Sequence, residues 1–169
     1  MLPTILRSRA HLRALHTARV LRNQKWSQLT NILAGEIPPP VQVKSVTNAG
    51  VLLHDGRLLP SACIFLDGEV LLWDVPPTLW TGWDENKFEV FDVVVPKPEI
   101  LLIGTGRSVN PLPAILRQYI NKLGMQVDVM DSWNACTTYN LLSEEGRRVA
   151  AALLPLYHRP WKTTRFDSP

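Results

Sequence analysis

The stretch Glu99-Ile100-Leu101-Leu102-Ile103-Gly104-Thr105-Gly106-Arg107-Ser108-Val109-Asn110-Pro111 decides the fold. Four consecutive apolar residues at 100–103 predict a strand buried on both faces, the kind found inside parallel sheets. Gly104, Thr105 and Gly106 form a tight loop after it. Asn110 and Pro111 then predict a helix start, as N-cap and first-turn proline. Leu112, Ile115, Leu116, Tyr119, Ile120 and Leu123 recur at helical spacing until Gly124. Strand, loop and helix in that order make the first half of a β-α-β crossover.

The same alternation continues toward the C-terminus. Residues 125–130 read as a strand, about 134–143 as a helix closed near Gly146, and 149–154 as a last strand. Toward the N-terminus the pattern changes. Short apolar segments at 41–46, 51–54, 57–59, 62–66 and 70–74 are separated by turn residues. Asp55-Gly56 predicts a hairpin with a type I′ turn, and Asp67-Gly68-Glu69 predicts a second hairpin. Asp84 is placed to cap a short helix through Phe91. The expected fold is therefore α/β: a single three-layer domain, an antiparallel meander followed by a β-α-β-α-β unit.

Charge divides the chain differently. Lys and Arg number 18 against 15 Asp and Glu in 169 residues. Six of those cations lie in residues 1–30, which hold no acid, and the rest of the chain carries a net −3. A leader with arginines between Leu2, Ile5, Leu6, Leu12 and Leu15 has the composition of a mitochondrial transit peptide. The expected organisation is a transit peptide at 1–25, a Pro-rich linker at 26–40, a domain at 41–157 and an extended tail at 158–169. An acidic folded part argues against nucleic-acid binding through a basic face. No run approaches the ~18 apolar residues of a membrane span. Cys63 and Cys136 are too few for a disulfide framework. No Cys-x-x-Cys or His-x-x-His spacing offers a metal site, and neither metal nor cofactor is expected.

Three places could carry chemistry or binding. The Gly104-Thr105-Gly106 loop lies where helix amides can cradle an anion. With Asp128 and Asp131 it looks like half of a dinucleotide fingerprint, but Val109 stands at the third glycine position and no second half follows. Thr137 and Asn140, on the predicted helix 134–143, would complete a small-anion pocket. Cys136 on that helix lacks an evident histidine base for nucleophilic work. The third place is the Pro76-Pro77 loop, crowded by Trp73, Val75, Leu79, Trp80 and Trp83. Trp80 and Trp83 fit core packing or a partner surface equally, and Tyr157 and Trp161 in the tail are further candidate partner contacts.

Three blocks together carry a resemblance: Gly104-Thr105-Gly106, Asn134-Ala135-Cys136-Thr137-Thr138-Tyr139-Asn140, and Glu144-Glu145-Gly146-Arg147 with its following strand. Over residues 41–157 the chain resembles the widespread small-domain family that includes the mitochondrial respiratory complex I assembly factor 3. The resemblance implies a three-layer β/α domain without catalytic chemistry. It implies a non-enzymatic assembly factor binding early intermediates of the matrix arm of complex I. Its partners would be other complex I assembly factors and early matrix-arm subunits. Its place would be the mitochondrial matrix, peripheral to the inner membrane. Thr137 departs from the family, where a basic residue is frequent in prokaryotic relatives. The alternatives are a small-anion or nucleotide-binding domain with an enzymatic activity, and a resident accessory subunit of a large mitochondrial complex.

Overall fold

A computed structural model describes residues 39–159. The expected transit peptide, most of the linker, and the tail from Pro160 onward, with Trp161, lie outside the described residues.

Eight strands and three α-helices follow one another in the described residues. Strands β1 (Val43–Thr47), β2 (Gly50–Leu53) and β3 (Leu58–Leu59) make a small antiparallel sheet. Strands β4 (Cys63–Leu66) and β5 (Glu69–Leu72) form the next hairpin. A 3-10 turn at Glu85–Phe88 leads into the short helix α1 (Val90–Val93). Then come β6 (Ile100–Gly104), α2 (Ala114–Lys122), β7 (Gln126–Met130), α3 (Ser132–Glu144) and β8 (Val149–Leu153).

The larger sheet has the order β5-β4-β8-β6-β7. β6 lies parallel to both β7 and β8, while β4 pairs with β8 antiparallel. The antiparallel first half and the β-α-β-α-β second half are both present. The strands of the first half are shared between two sheets: β1–β3 stay together, and β4–β5 extend the crossover sheet. Local signals mark hairpins but not the partner across the sheet, so this division was not legible in the sequence.

Alternation along the strands sorts the side chains into two cores. Ile64, Leu66, Leu101, Ile103, Ala150 and Ala152 face α2, the 3-10 turn and α1, where Leu116, Ile120, Phe88 and Phe91 are buried. Cys63, Phe65, Ile100, Leu102, Ala151 and Leu153 face the opposite way, onto α3 and the small sheet. Ala135 and Ala151 on that second side are fully buried, and their small size lets helix and sheet approach closely. Three layers result, with the five-stranded sheet in the middle.

Local expectations needed four corrections. The type I′ turn is at Asp67-Gly68, where both residues have positive φ (48° and 76°) and Leu66 pairs with Glu69. At Asp55-Gly56 only Gly56 has positive φ, and Arg57 O accepts from Leu53 N–H in a wider loop. Helix α2 begins at Ala114, not at Asn110 and Pro111. Pro113 disfavours the helical region for Leu112, so residues 110–113 stay outside the helix and only Leu112 is buried there. Helix α3 begins at Ser132, because Asp131 is its N-cap: the Asp131 carboxylate accepts from Asn134 N–H at 3.0 Å. Asp84 does precede a helical turn, but its side chain makes no capping bond and the turn is 3-10.

Candidate functional site

The carboxyl ends of β6 and β8 carry the candidate residues. Gly104 closes β6 against the start of α3. A Cβ on Gly104 would lie 2.8 Å from Ser132 Oγ and 2.9 Å from both Ser132 Cα and a Leu153 methyl, so only glycine lets the helix approach. Ser132, with no exposed surface, ties the loop down. Its Oγ accepts from Gly106 N–H at 2.9 Å and donates to Leu154 O at 2.6 Å. Its amide donates to Gly106 O, while Leu154 N–H donates to Gly104 O. Thr105 N–H donates to Met130 O. The Thr105 hydroxyl lies 2.7 Å from Ser108 O and 3.1 Å from Met130 O, and accepts from Asn110 N–H.

The amides of Thr105 and Gly106, which an anion cradle at this loop would need, therefore already have acceptors within the protein. The helix N-terminus that would reinforce them begins eight residues after Gly106, behind two prolines without N–H groups. Thr137 and Asn140 do not join Gly104, Thr105 and Gly106. The exposed Thr137 hydroxyl donates to Trp133 O within its own helix. Asn140 fastens β1 to α3: its Oδ1 accepts from Val43 N–H at 2.9 Å and its Nδ2 donates to Val43 O at 2.7 Å.

Cys136 and Cys63 are buried and unbridged in the second core. Desolvation pushes the Cys63 thiol up to about 12. Desolvation, then the nearby Cys63 and Asp131, push Cys136 well above the ordinary thiol range. Both stay protonated at neutral pH, which removes the thiolate that nucleophilic chemistry requires. Among the described residues no group of three His, Cys, Asp or Glu is placed to hold a metal. No helix of the described residues is long and apolar enough to cross a membrane.

The tryptophan loop folds back on the first core. Trp73 meets Trp83 edge-on at 5.1 Å and Phe88 at 5.6 Å, and its indole N–H donates to Lys87 O. Trp80 meets Trp83 at 4.8 Å and holds a positive φ of 64°. The Trp80 indole nitrogen is buried without a hydrogen-bond partner. Trp80 and Trp83 are thus partly buried packing residues that keep only part of their rings on the surface. Tyr157 is 47% exposed, and its hydroxyl accepts from Arg107, whose guanidinium lies 5.0 Å from the ring centroid.

Comparison with known proteins adds the lineage. A family model described as "protein of unknown function (DUF498/DUF598)" matches residues 43–154. The chain belongs to this family. Its DUF498/DUF598 domain is similar to proteins named NADH dehydrogenase [ubiquinone] 1 alpha subcomplex assembly factor 3 from Rattus norvegicus and Homo sapiens. Identity is 31% to each over 125 residues, 74% of this chain. The chain spans 66% of the length of these relatives. A solution structure of a Mth938-like domain from Bordetella pertussis matches with a TM-score of 0.60 and 26% identity, covering 73% of this chain and 91% of that one.

Two surface residues escaped sequence reasoning. Trp133 is 59% exposed and Leu141 51% exposed, each about one turn from Thr137 on α3, on either side of it. The signal was present: residues 132–143 carry no charge, whereas the solvent side of an ordinary surface helix does. The motif at 134–140 drew attention to polar atoms that prove to be internal fasteners.

Proposed function

We propose that this DUF498/DUF598 protein is a non-enzymatic assembly factor for mitochondrial respiratory complex I, acting on early intermediates of the matrix arm. The similarity to relatives named as complex I assembly factor 3 carries the reading. The site chemistry supports it: the family motifs serve the fold, with loop amides bonded internally and both thiols protonated. In this proposal the Arg-rich leader directs import to the matrix, and the domain works at the inner-membrane surface with other assembly factors and early matrix-arm subunits.

Recognition would rest on exposed apolar side chains. Trp133 and Leu141 on α3, the outer parts of Trp80 and Trp83, and Tyr157 are the assigned contacts, with Trp161 in the tail as a further one. A tryptophan is a frequent energetic anchor in such surfaces. The test is depletion of the protein followed by native electrophoresis of mitochondria stained for NADH dehydrogenase activity. Loss of mature complex I with accumulated partial assemblies is expected, with rescue by the wild-type chain. Trp133→Ala should leave the fold intact and reduce partner co-purification about tenfold. Normal complex I after depletion would overturn the assembly role.

A further inference from the structure

We propose that the crevice between the carboxyl ends of β6 and β8 binds a small oxyanion with a short apolar body, held by Arg107. The site differs from the Gly-Thr-Gly amide cradle considered above, whose donors are engaged, and it does not depend on the assembly role.

Topology places the crevice. From β6 the chain leaves through α2 over one face of the sheet to reach β7. From β7 it returns through α3 over the opposite face to reach β8, on the other side of β6. Residues 154–159 after β8 form no helix and run beside the loop after the parallel strand β6, and ligands of open α/β sheets bind in crevices outside the carboxyl ends of their strands. Here the crevice is real: a cavity of about 160 Å³ is lined by Thr105, Gly106 and Arg107 after β6 and by residues 154–156 after β8. Its roof comes from Pro76, Pro77, Leu79 and Trp83 of the tryptophan loop, with His158 at the rim.

The lining states the ligand's chemistry. It contains one permanent cation, Arg107, a second group able to carry positive charge, His158, and no carboxylate. An oxyanion is therefore favoured over a cation. Arg107 is also held in place. Its guanidinium stacks on Tyr157 and gives one N–H to the Tyr157 hydroxyl, which leaves donors of the planar fork free for a carboxylate or phosphate. Proline and tryptophan surfaces opposite suit an apolar body. The crevice is small, which suits a small acid. Gly106 keeps the floor open: a Cβ there would stand 3.3 Å from Pro155 O, at a φ of 87°.

The test is a titration of the ¹⁵N-labelled full chain, followed by amide and indole NMR shifts. Benzoate and inorganic phosphate are the probes, each against sodium chloride of equal ionic strength. Saturable shifts at Thr105, Gly106, Leu156 and the Trp83 indole are expected. A response to benzoate, with or without a weaker one to phosphate, supports an oxyanion with an apolar body; a response to phosphate alone would overturn the apolar body. Arg107→Met, which keeps an apolar stem against Tyr157, should weaken the response about tenfold. Arg107→Gln serves as a second variant if the first perturbs folding, judged by the rest of the spectrum. Shifts no larger than those of chloride, or shifts that survive both substitutions, would overturn the proposal.

Discussion

The loop after β6 and the loop after β5 have opposite compositions, and each is used against its appearance. Gly104-Thr105-Gly106 looks like a place for a ligand's anion. Its amides instead close a small hydrogen-bonded latch with Ser132, Met130 and Leu154. The stretch from Trp73 to Trp83 looks like core that strayed into a loop. It packs on the first core but leaves one indole N–H unpartnered, one tryptophan at positive φ, and a roof over the crevice. Polar residues thus close one loop tightly, while apolar bulk closes the other imperfectly. A buried hydrogen-bond network tolerates little substitution; an aromatic stack with an unsatisfied donor has room to improve.

Substitutions can break that contrast. The largest effect should come from Gly104→Ala, whose methyl would press on the Ser132 backbone and Leu153; a loss of about 3 kcal/mol in urea unfolding is expected. A loss near zero would mean that α3 can move away and that the latch is loose. Ser132→Ala removes both the acceptor of Gly106 N–H and the donor to Leu154 O without adding bulk. It should cost about 2 kcal/mol, chiefly as buried backbone groups left unpaired.

Alkaline pH probes the core beneath the latch. Cys63 has a folded-state pKa raised from 9.0 to about 12, so the unfolded chain gives up this proton first. Its contribution to stability is complete below pH 9 and is lost as pH rises from 9 toward 12. The urea midpoint should therefore fall between pH 8 and pH 10.5, and Cys63→Ala should lessen that fall, with Cys136 carrying part of the remainder. Tyr119, raised to about 12 by its hydrogen bond to Asp92, acts in the same direction from the surface. The smallest effect should come from the other loop. Trp80→Phe deletes the unpartnered indole N–H and should change stability by less than about 0.5 kcal/mol in either direction. A loss above about 2 kcal/mol would show that the indole nitrogen has a role that its surroundings hide.

What the sequence revealed follows the range of the forces. Ile100–Gly104 announced itself as a doubly buried strand because four apolar side chains in a row can be hidden only between two layers. Gly124 and Gly146 announced helix ends and do hold positive φ. The start of α2 was misplaced because the restriction by Pro113 on Leu112 outweighs the N-cap signal of Asn110. The role of Asn140 was illegible because its partner, Val43, lies 97 residues away. The crevice was illegible for the same reason. Arg107 and Tyr157 are 50 residues apart, and only the strand order brings them together.

That strand order also sets a timetable. β8, the last strand among the described residues, occupies the centre of the larger sheet, between β4 and β6. Before residue 153 is available, the chain can offer only a β4–β5 hairpin and a β6–β7 pair, each with an open edge where β8 belongs. A ribosome or an import channel delivering this chain from its N-terminus must therefore hand over nearly all of the domain before the sheet can close. Until then two sticky edges need shielding. Deleting β8 would leave two halves without a seam, whereas an early hairpin could be lost from the rim. The centre of this sheet is the last of its strands to be written.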